Sequence, residues 1–249
     1  MKLLTIPLRV LYTLYACCLF WLLGFVTAFI YIIILLLPLS KLRKGDVMYE
    51  ANWWFTVVFG AFTGICYKVI GKTAVDWQRT YVMVANHNAI ADVFIMVNPL
   101  RGIRYRPLAK IELLSVPIFG FLFKYTLIFV DRKNPNSRRG SITELRKLIN
   151  EDHVSPFIFP EGTRNRTGKP LKEFFDGAFR IAIDTQTPIL PLVYMGTKQI
   201  TPQGVMLMRP GVLTCIFLPP IETIGLTVED LPMLKQKVFS DMEKAILAN

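Results

Sequence analysis

The stretch that decides the fold is YVMVANHNAIAD, residues 81–92. It begins with an apolar run, residues 81–85, that is rich in β-branched and aromatic side chains, as in a buried strand. Polar residues follow at once: Asn86, His87 and, five positions after the histidine, Asp92. In α/β sheets, binding and catalytic groups collect where strands end and loops begin. The stretch therefore predicts a strand that delivers a functional site.

The spacing of His87 and Asp92 suits acid–base chemistry. An imidazole can take a proton from an attacking hydroxyl near neutral pH and return it to a leaving group. If residues 88–92 turn into the start of a helix, the carboxylate can hold the ring in one tautomer. By pattern alone, a strand-end histidine bonded to backbone groups and an aspartate helix cap explain the pair equally well. Because the sequence has no Gly-x-Ser-x-Gly elbow, a base here would act on a substrate hydroxyl.

A second polar motif follows another apolar run, in FIFPEGTRNR, residues 157–166. Gly162 lets the backbone approach a ligand closely, Thr163 offers a hydroxyl, and Arg164 offers a planar group suited to phosphate. Glu161 would hold the arginine or orient the loop. A solvated basic turn is the alternative, because charged turns are common. Since the ends of parallel strands meet at one edge of a sheet, the motif predicts an anion site near the histidine.

Short β-rich runs alternate with amphipathic stretches after residue 71. Strands that alternate with helices predict an α/β domain with a mostly parallel mixed sheet flanked by helices. The predicted strands are 81–85, 103–108, 127–130, 156–159, 189–194 and 212–218. Apolar residues at helical spacing predict further helices within 142–149 and 228–246.

The N-terminal segment has the composition of a membrane anchor. From Val10 to Ser40 no residue is charged, which exceeds the roughly 20 apolar residues that span a bilayer. A second apolar stretch, 51–67, follows a charged joint, so we expect two hydrophobic helices. A signal peptide would have a shorter apolar run and a cleavage site. Full spans and a re-entrant hairpin both stay open, because basic residues flank the first segment at both ends. The predicted organisation is a membrane anchor, 1–70, and an α/β domain, 71–249.

The formal net charge of +11 arises from 29 basic and 18 acidic residues and indicates an anionic partner. Beside a membrane anchor, this charge favours anionic lipid headgroups. We do not expect nucleic acid as a partner, because the sequence shows no module that combines basic and aromatic residues for that purpose. The four cysteines lack metal-ligand spacing, so neither a metal site nor a disulfide framework is predicted.

With these motifs the chain resembles the glycerophospholipid acyltransferases, most closely the lysophosphatidate (1-acyl-glycerol-3-phosphate) acyltransferases. Over about residues 75–220, four sequence blocks occur in the family order, and two of them are the motifs quoted above. The blocks are Asn86-His87 to Asp92; Lys110, Pro117, Gly120 and Phe129-Val130-Asp131-Arg132; Phe159-Pro160-Glu161-Gly162-Thr163-Arg164; and Ile189-Leu190-Pro191-Leu192.

The resemblance implies transfer of a fatty acyl group from acyl-CoA or acyl-carrier protein to the free hydroxyl of lysophosphatidate, which gives phosphatidic acid. It implies no cofactor beyond the acyl donor, and a membrane location with the active site facing the cytoplasm. Other acceptors stay open: glycerol-3-phosphate, another lysophospholipid or a lyso-amino-acid lipid. A non-catalytic membrane protein that binds acidic lipids is the alternative from a different functional class.

Carried over residue by residue, the resemblance assigns three sets of side chains. His87 and Asp92 would be the catalytic pair; Asn86, Arg132 and Pro191 would support the site; and the acceptor phosphate would be held by Lys110, Glu161, Gly162, Thr163 and Arg164. Two positions depart from the family pattern. Ala89 stands where a serine is common, and residues 174–176 lack the usual lysine before Gly177, for which Lys172 could compensate.

Overall fold

The computed structural model describes residues 6–115, 123–130, 143, 145–202 and 207–249. Its strands form one seven-stranded sheet in the order β1-β7-β6-β2-β5-β3-β4. They are β1 (Ile65–Ile70), β2 (Val82–Ala85), β3 (Tyr105–Lys110), β4 (Ile128–Val130), β5 (Ser155–Ile158), β6 (Ile189–Met195) and β7 (Gly211–Phe217). Strand β5 pairs with β2 and β3, β2 also with β6, and β3 also with β4, all in parallel. The predicted α/β fold with a mostly parallel sheet flanked by helices is confirmed.

Besides three 3-10 helices of three to five residues each, the described part of the chain contains the α-helices that follow. They are α1 (Ile6–Leu36), α2 (Lys41–Thr63), α3 (Asp92–Val97), α4 (145–150), α5 (Gly177–Thr185), α6 (Thr197–Ile200) and α7 (Leu231–Leu247). All six predicted strands are present, with ends shifted by no more than two residues. The sequence does not predict strand β1, because the apolar stretch 51–67 continues across the end of α2 and predicts a single helix. That helix stops earlier because Gly64 adopts a left-handed conformation, with φ of 67°.

The described chain forms two compact units, of which the first contains the chain up to Val69, Asn88–Arg101 and Tyr194–Cys215. Within it, α1 and α2 are joined by a hydrogen bond of 2.8 Å from the Tyr31 hydroxyl to Asn52 Oδ1. Helix α3 packs on α2 through a stacked ring pair, with the centroids of Phe59 and Phe94 5.1 Å apart. This contact fixes the helix that begins with Asp92.

Helix α1 is, among the helices of the described residues, the one that is long and apolar enough to cross a membrane. It has 31 residues and a mean hydropathy of 2.7 over its most apolar 18-residue window. Helix α2 differs because its first three turns carry charged side chains. Its N-cap residue is Ser40, whose hydroxyl accepts a hydrogen bond from the Arg43 amide. Of the two hydrophobic helices that the sequence predicts, α1 has this character in the described residues and α2 does not.

The second unit contains Ile70–His87, Gly102–Val193 and Ile216–Asn249. Its centre is formed by β2 and β5, in which every residue is buried. Helices α5 and α7 pack against each other, and each turns an apolar face inward. Four α7 residues are buried on that face: Leu231, Leu234, Val238 and Met242. Strands β2 and β5 each lead directly into one of the two polar motifs.

Candidate active site

The two polar motifs leave neighbouring parallel strands at the same edge of the sheet. Met83 lies opposite Phe157, and Val84 lies opposite Ile158. His87 and Glu161 each lie three residues after the pair Val84 and Ile158, so the same register places them level with each other. The convergence that the sequence predicts for these motifs follows directly from the pairing of β2 with β5.

The backbone of His87 is held from both sides by the second motif. Its N–H donates to Oε1 of Glu161 at 2.9 Å, and its carbonyl accepts from the N–H of Asn165 at 2.7 Å. The other carboxylate oxygen of Glu161 accepts from the N–H of Lys172 at 3.1 Å. Glu161 and Asn165 are both fully buried. The backbone of the histidine is thus held by hydrogen bonds that do not involve its ring.

The imidazole ring of His87 stacks on Phe159. The two ring centroids are 4.3 Å apart, and the ring planes are inclined by 20°. Phe159 in turn meets the buried Phe157 edge to face, at 5.2 Å between centroids. Stacking covers a face of the imidazole and leaves both nitrogens at the ring edge, where hydrogen bonds form. The sequence carries a signal for this role, an aromatic residue at the end of the neighbouring strand, but the motif by itself does not predict the stack.

In the first unit, Asp92 closes the turn that leads into α3. Its Oδ2 accepts from the N–H groups of Asn88 and Ala89, at 2.5 Å and 2.8 Å. The side chain is fully buried. The carboxylate therefore shapes the segment that directly follows the histidine, but it does not cap α3, whose N-cap residue is Ala91. Its predicted pairing with the His87 ring stays a prediction.

The loop after β5 is built around Asn165. The Asn165 side chain accepts from the N–H and hydroxyl of Thr167, at 3.0 Å and 2.7 Å, and donates to the carbonyl of Lys169 at 3.0 Å. Gly162 has a φ of 70°, which a side chain would strain. Around this buried centre, Thr163 and Arg164 are exposed. The loop thus presents a hydroxyl and a guanidinium to solvent, as an anion site requires.

The remaining predicted site residues lie at different depths. Lys110 is exposed at the end of β3, which pairs with β5, so it reaches the same edge as the loop. Asn86 is buried directly after β2, and Pro191 is buried inside β6 opposite Val84. Arg132 lies outside the described residues, as do the predicted motif positions Pro117, Gly120 and Asp131. Their roles stay predictions.

Comparison with known proteins decides the family. A family model described as acyltransferase matches residues 66–195, which is more than half of the chain and includes both motifs. The chain belongs to the acyltransferase family. Metal-ligating clusters of three or more His, Cys, Asp or Glu side chains are absent from the described residues of this family member.

Curated members of the family include relatives at about one third identity. The human 1-acyl-sn-glycerol-3-phosphate acyltransferase alpha is 33% identical over 180 residues, which cover 72% of this chain and 63% of the human protein. The 1-acyl-sn-glycerol-3-phosphate acyltransferase of Haemophilus influenzae is 34% identical over 171 residues, with 66% of this chain and 68% of the relative covered. The match thus spans less than two thirds of the human relative.

A solved family structure shares the fold over nearly the whole chain. It is the 1-acyl-sn-glycerophosphate (LPA) acyltransferase PlsC from Thermotoga maritima, with a TM-score of 0.78. The superposition covers 96% of this chain and 97% of that chain, at 21% sequence identity. This likeness establishes the fold of the acyltransferase chain.

Proposed function

We propose that the chain transfers a fatty acyl group from acyl-CoA or acyl-carrier protein to the free hydroxyl of 1-acyl-glycerol-3-phosphate, which yields phosphatidic acid. Family membership supports an acyl transfer, and the printed names of the relatives favour this acceptor. The observation that carries the proposal is the fixed backbone of His87 between Glu161 and Asn165. A general base has to be held where it meets the reacting hydroxyl.

In this mechanism His87 takes the proton of the acceptor hydroxyl as the oxygen attacks the thioester carbonyl. The new C–O bond gives a tetrahedral intermediate, which collapses as the C–S bond breaks. The imidazolium then gives its proton to the departing thiolate, so the base is restored. Asp92 would keep the ring in the productive tautomer and stabilise the imidazolium. No cofactor beyond the acyl donor enters these steps.

The acceptor phosphate is proposed to lie over the loop after β5. Arg164 and Lys110 supply positive charge and Thr163 a hydroxyl, while Gly162 and Glu161 shape the backbone beneath them. Asn86, Arg132 and Pro191 would support this arrangement. Membrane lipids are the proposed surroundings, with α1 in the bilayer and the active site on the cytoplasmic side.

Acceptor-dependent thiol release from acyl-CoA tests the proposal. Purified full-length protein in phospholipid–detergent micelles should release thiol about 10²-fold faster with lysophosphatidate than without it, the lower end of what general-base catalysis contributes. Glycerol-3-phosphate, neutral lysophospholipids and a lyso-amino-acid lipid serve as parallel acceptors, and acyl-carrier protein serves as a second donor. Faster release with another acceptor would reassign the substrate. If no acceptor raised the rate, the chain would be an acidic-lipid binder.

The stack of Phe159 on the His87 ring gives a second prediction. Phe159→Leu should lower kcat up to about tenfold, because an aromatic pair contributes about 0.5–1.5 kcal/mol and here fixes the ring plane of the base. Phe159→Tyr keeps the ring and should retain kcat within about twofold of the wild-type value. The kcat of each variant is measured at saturating acceptor. Equal kcat values for the leucine and tyrosine variants would show that the stack has no part in catalysis.

A further inference from the structure

The Lys172 side chain lies against the hydroxyl of Thr163 in the loop after β5. Its Nζ donates to Oγ1 of Thr163 at 3.0 Å. The contact brings together two side chains nine positions apart, on the two sides of the turn built around Asn165. We infer that Lys172 and Thr163 together bind the phosphate of the acceptor, an inference that rests on the proposed function. Lys172 would then set the preference for a phosphomonoester lipid.

The main chain at Lys172 is bonded to the same buried carboxylate as the main chain of the histidine. The Lys172 N–H donates to the buried Glu161 carboxylate, whose other oxygen holds the N–H of His87. One carboxylate therefore sets the spacing between the proposed base and the start of the lysine side chain. A cation that binds the acceptor needs such a fixed spacing, because the phosphate and the reacting hydroxyl belong to one small glycerol unit.

The hydrogen-bond directions at this pair favour an incoming anion. Because Oγ1 of Thr163 accepts from the ammonium, the hydroxyl proton of Thr163 remains available to donate elsewhere. The ammonium has three N–H donors, and its contact with Thr163 uses one. Among the described residues, no carboxylate forms an ion pair with the Lys172 ammonium. The pair can therefore direct several donors to one phosphate group.

This arrangement predicts which acceptors the site prefers. A phosphomonoester presents several oxygens and about two negative charges, whereas a choline-type headgroup shields its phosphodiester with a cation. Charge-assisted hydrogen bonds are roughly twice as strong as neutral ones, so loss of the ammonium should weaken the doubly charged ligand most. Acyl-CoA also carries phosphates. If Lys172 bound those phosphates, loss of the lysine would raise the KM for acyl-CoA instead of the KM for the acceptor. The two KM values separate these sources.

The test compares Lys172→Met with Lys169→Met, which removes one positive charge from an exposed position of the same loop. Full-length Lys172→Met should raise the KM for lysophosphatidate about tenfold, with kcat and the KM for acyl-CoA within about twofold of wild type. Lys169→Met should leave all three constants within about twofold. Lys172→Arg should recover most of the acceptor affinity, because the charge and donors are kept.

A double-mutant cycle with Thr163→Val tests whether the two side chains bind one group. If they do, the combined effect of the double variant on the acceptor KM should be smaller than the product of the single effects. Equal acceptor KM values for Lys172→Met and Lys169→Met would overturn the inference, as would a rise confined to the KM for acyl-CoA. Failure of the proposed function is distinguishable, because the wild-type protein would then acylate no lysophosphatidate.

Discussion

Replacing His87 with alanine is expected to lower acyl transfer to lysophosphatidate about 10³-fold, the middle of the range that general-base catalysis contributes. The variant should still fold. Both hydrogen bonds that fix residue 87, to Glu161 and from Asn165, involve its backbone and survive the substitution. The rate of acceptor-dependent thiol release and the midpoint of chemical unfolding, measured on the same preparation, separate a chemical defect from a folding defect.

The chain supplies its own control, because it has two histidines. His153 is exposed ahead of β5 and has a φ of 52°, a left-handed conformation that asparagine tolerates well. His153→Asn should therefore keep both the rate and the unfolding midpoint near the wild-type values. His87→Gln, which leaves no cavity beside Phe159, should lose as much activity as the alanine variant. A His87→Ala rate above about a tenth of wild type would remove the histidine from the mechanism.

The strands could be predicted because burial imposes a simple pattern on them. Residues 82–85 and 155–158 are wholly buried and, apart from Ser155, apolar, so the sequence marks them clearly. The boundary between α2 and β1 could not be predicted in the same way. Apolar residues continue across it, and the change depends on the left-handed backbone of Gly64. Hydrophobic periodicity does not reveal a single backbone angle.

The site was predictable as a set of residue types but not as a set of contacts. His87 and Glu161 stand out because polar residues follow apolar strands. Their hydrogen bond joins residues 74 positions apart and depends on the register of β2 with β5. The same applies to Asn165, which in the sequence is one more polar residue of a turn. Its buried amide holds the loop together and meets the histidine carbonyl, which composition alone does not reveal.

Glu161→Gln is expected to have the second largest effect, because a carboxylate accepts two hydrogen bonds here and an amide can accept at only one of its two ends. One end of the new amide would be an NH₂ group facing the N–H of His87 or of Lys172. That end loses a hydrogen bond and places two donors together in a fully buried position. A buried hydrogen bond to a charged group contributes about 1.5–3 kcal/mol, so the free energy of unfolding should fall by about that amount.

The same substitution should lower kcat about 10²-fold, because displacement of a reacting group by about 1 Å has that effect on rate. Glu173→Gln is the matched control: it makes the same chemical change at an exposed residue twelve positions along the chain. The control should keep the unfolding free energy and kcat near wild type. If Glu161→Gln behaved like Glu173→Gln in both measurements, the buried carboxylate would not be what holds the base. If it lost stability but kept kcat, the carboxylate would not be needed to position His87 for the reaction.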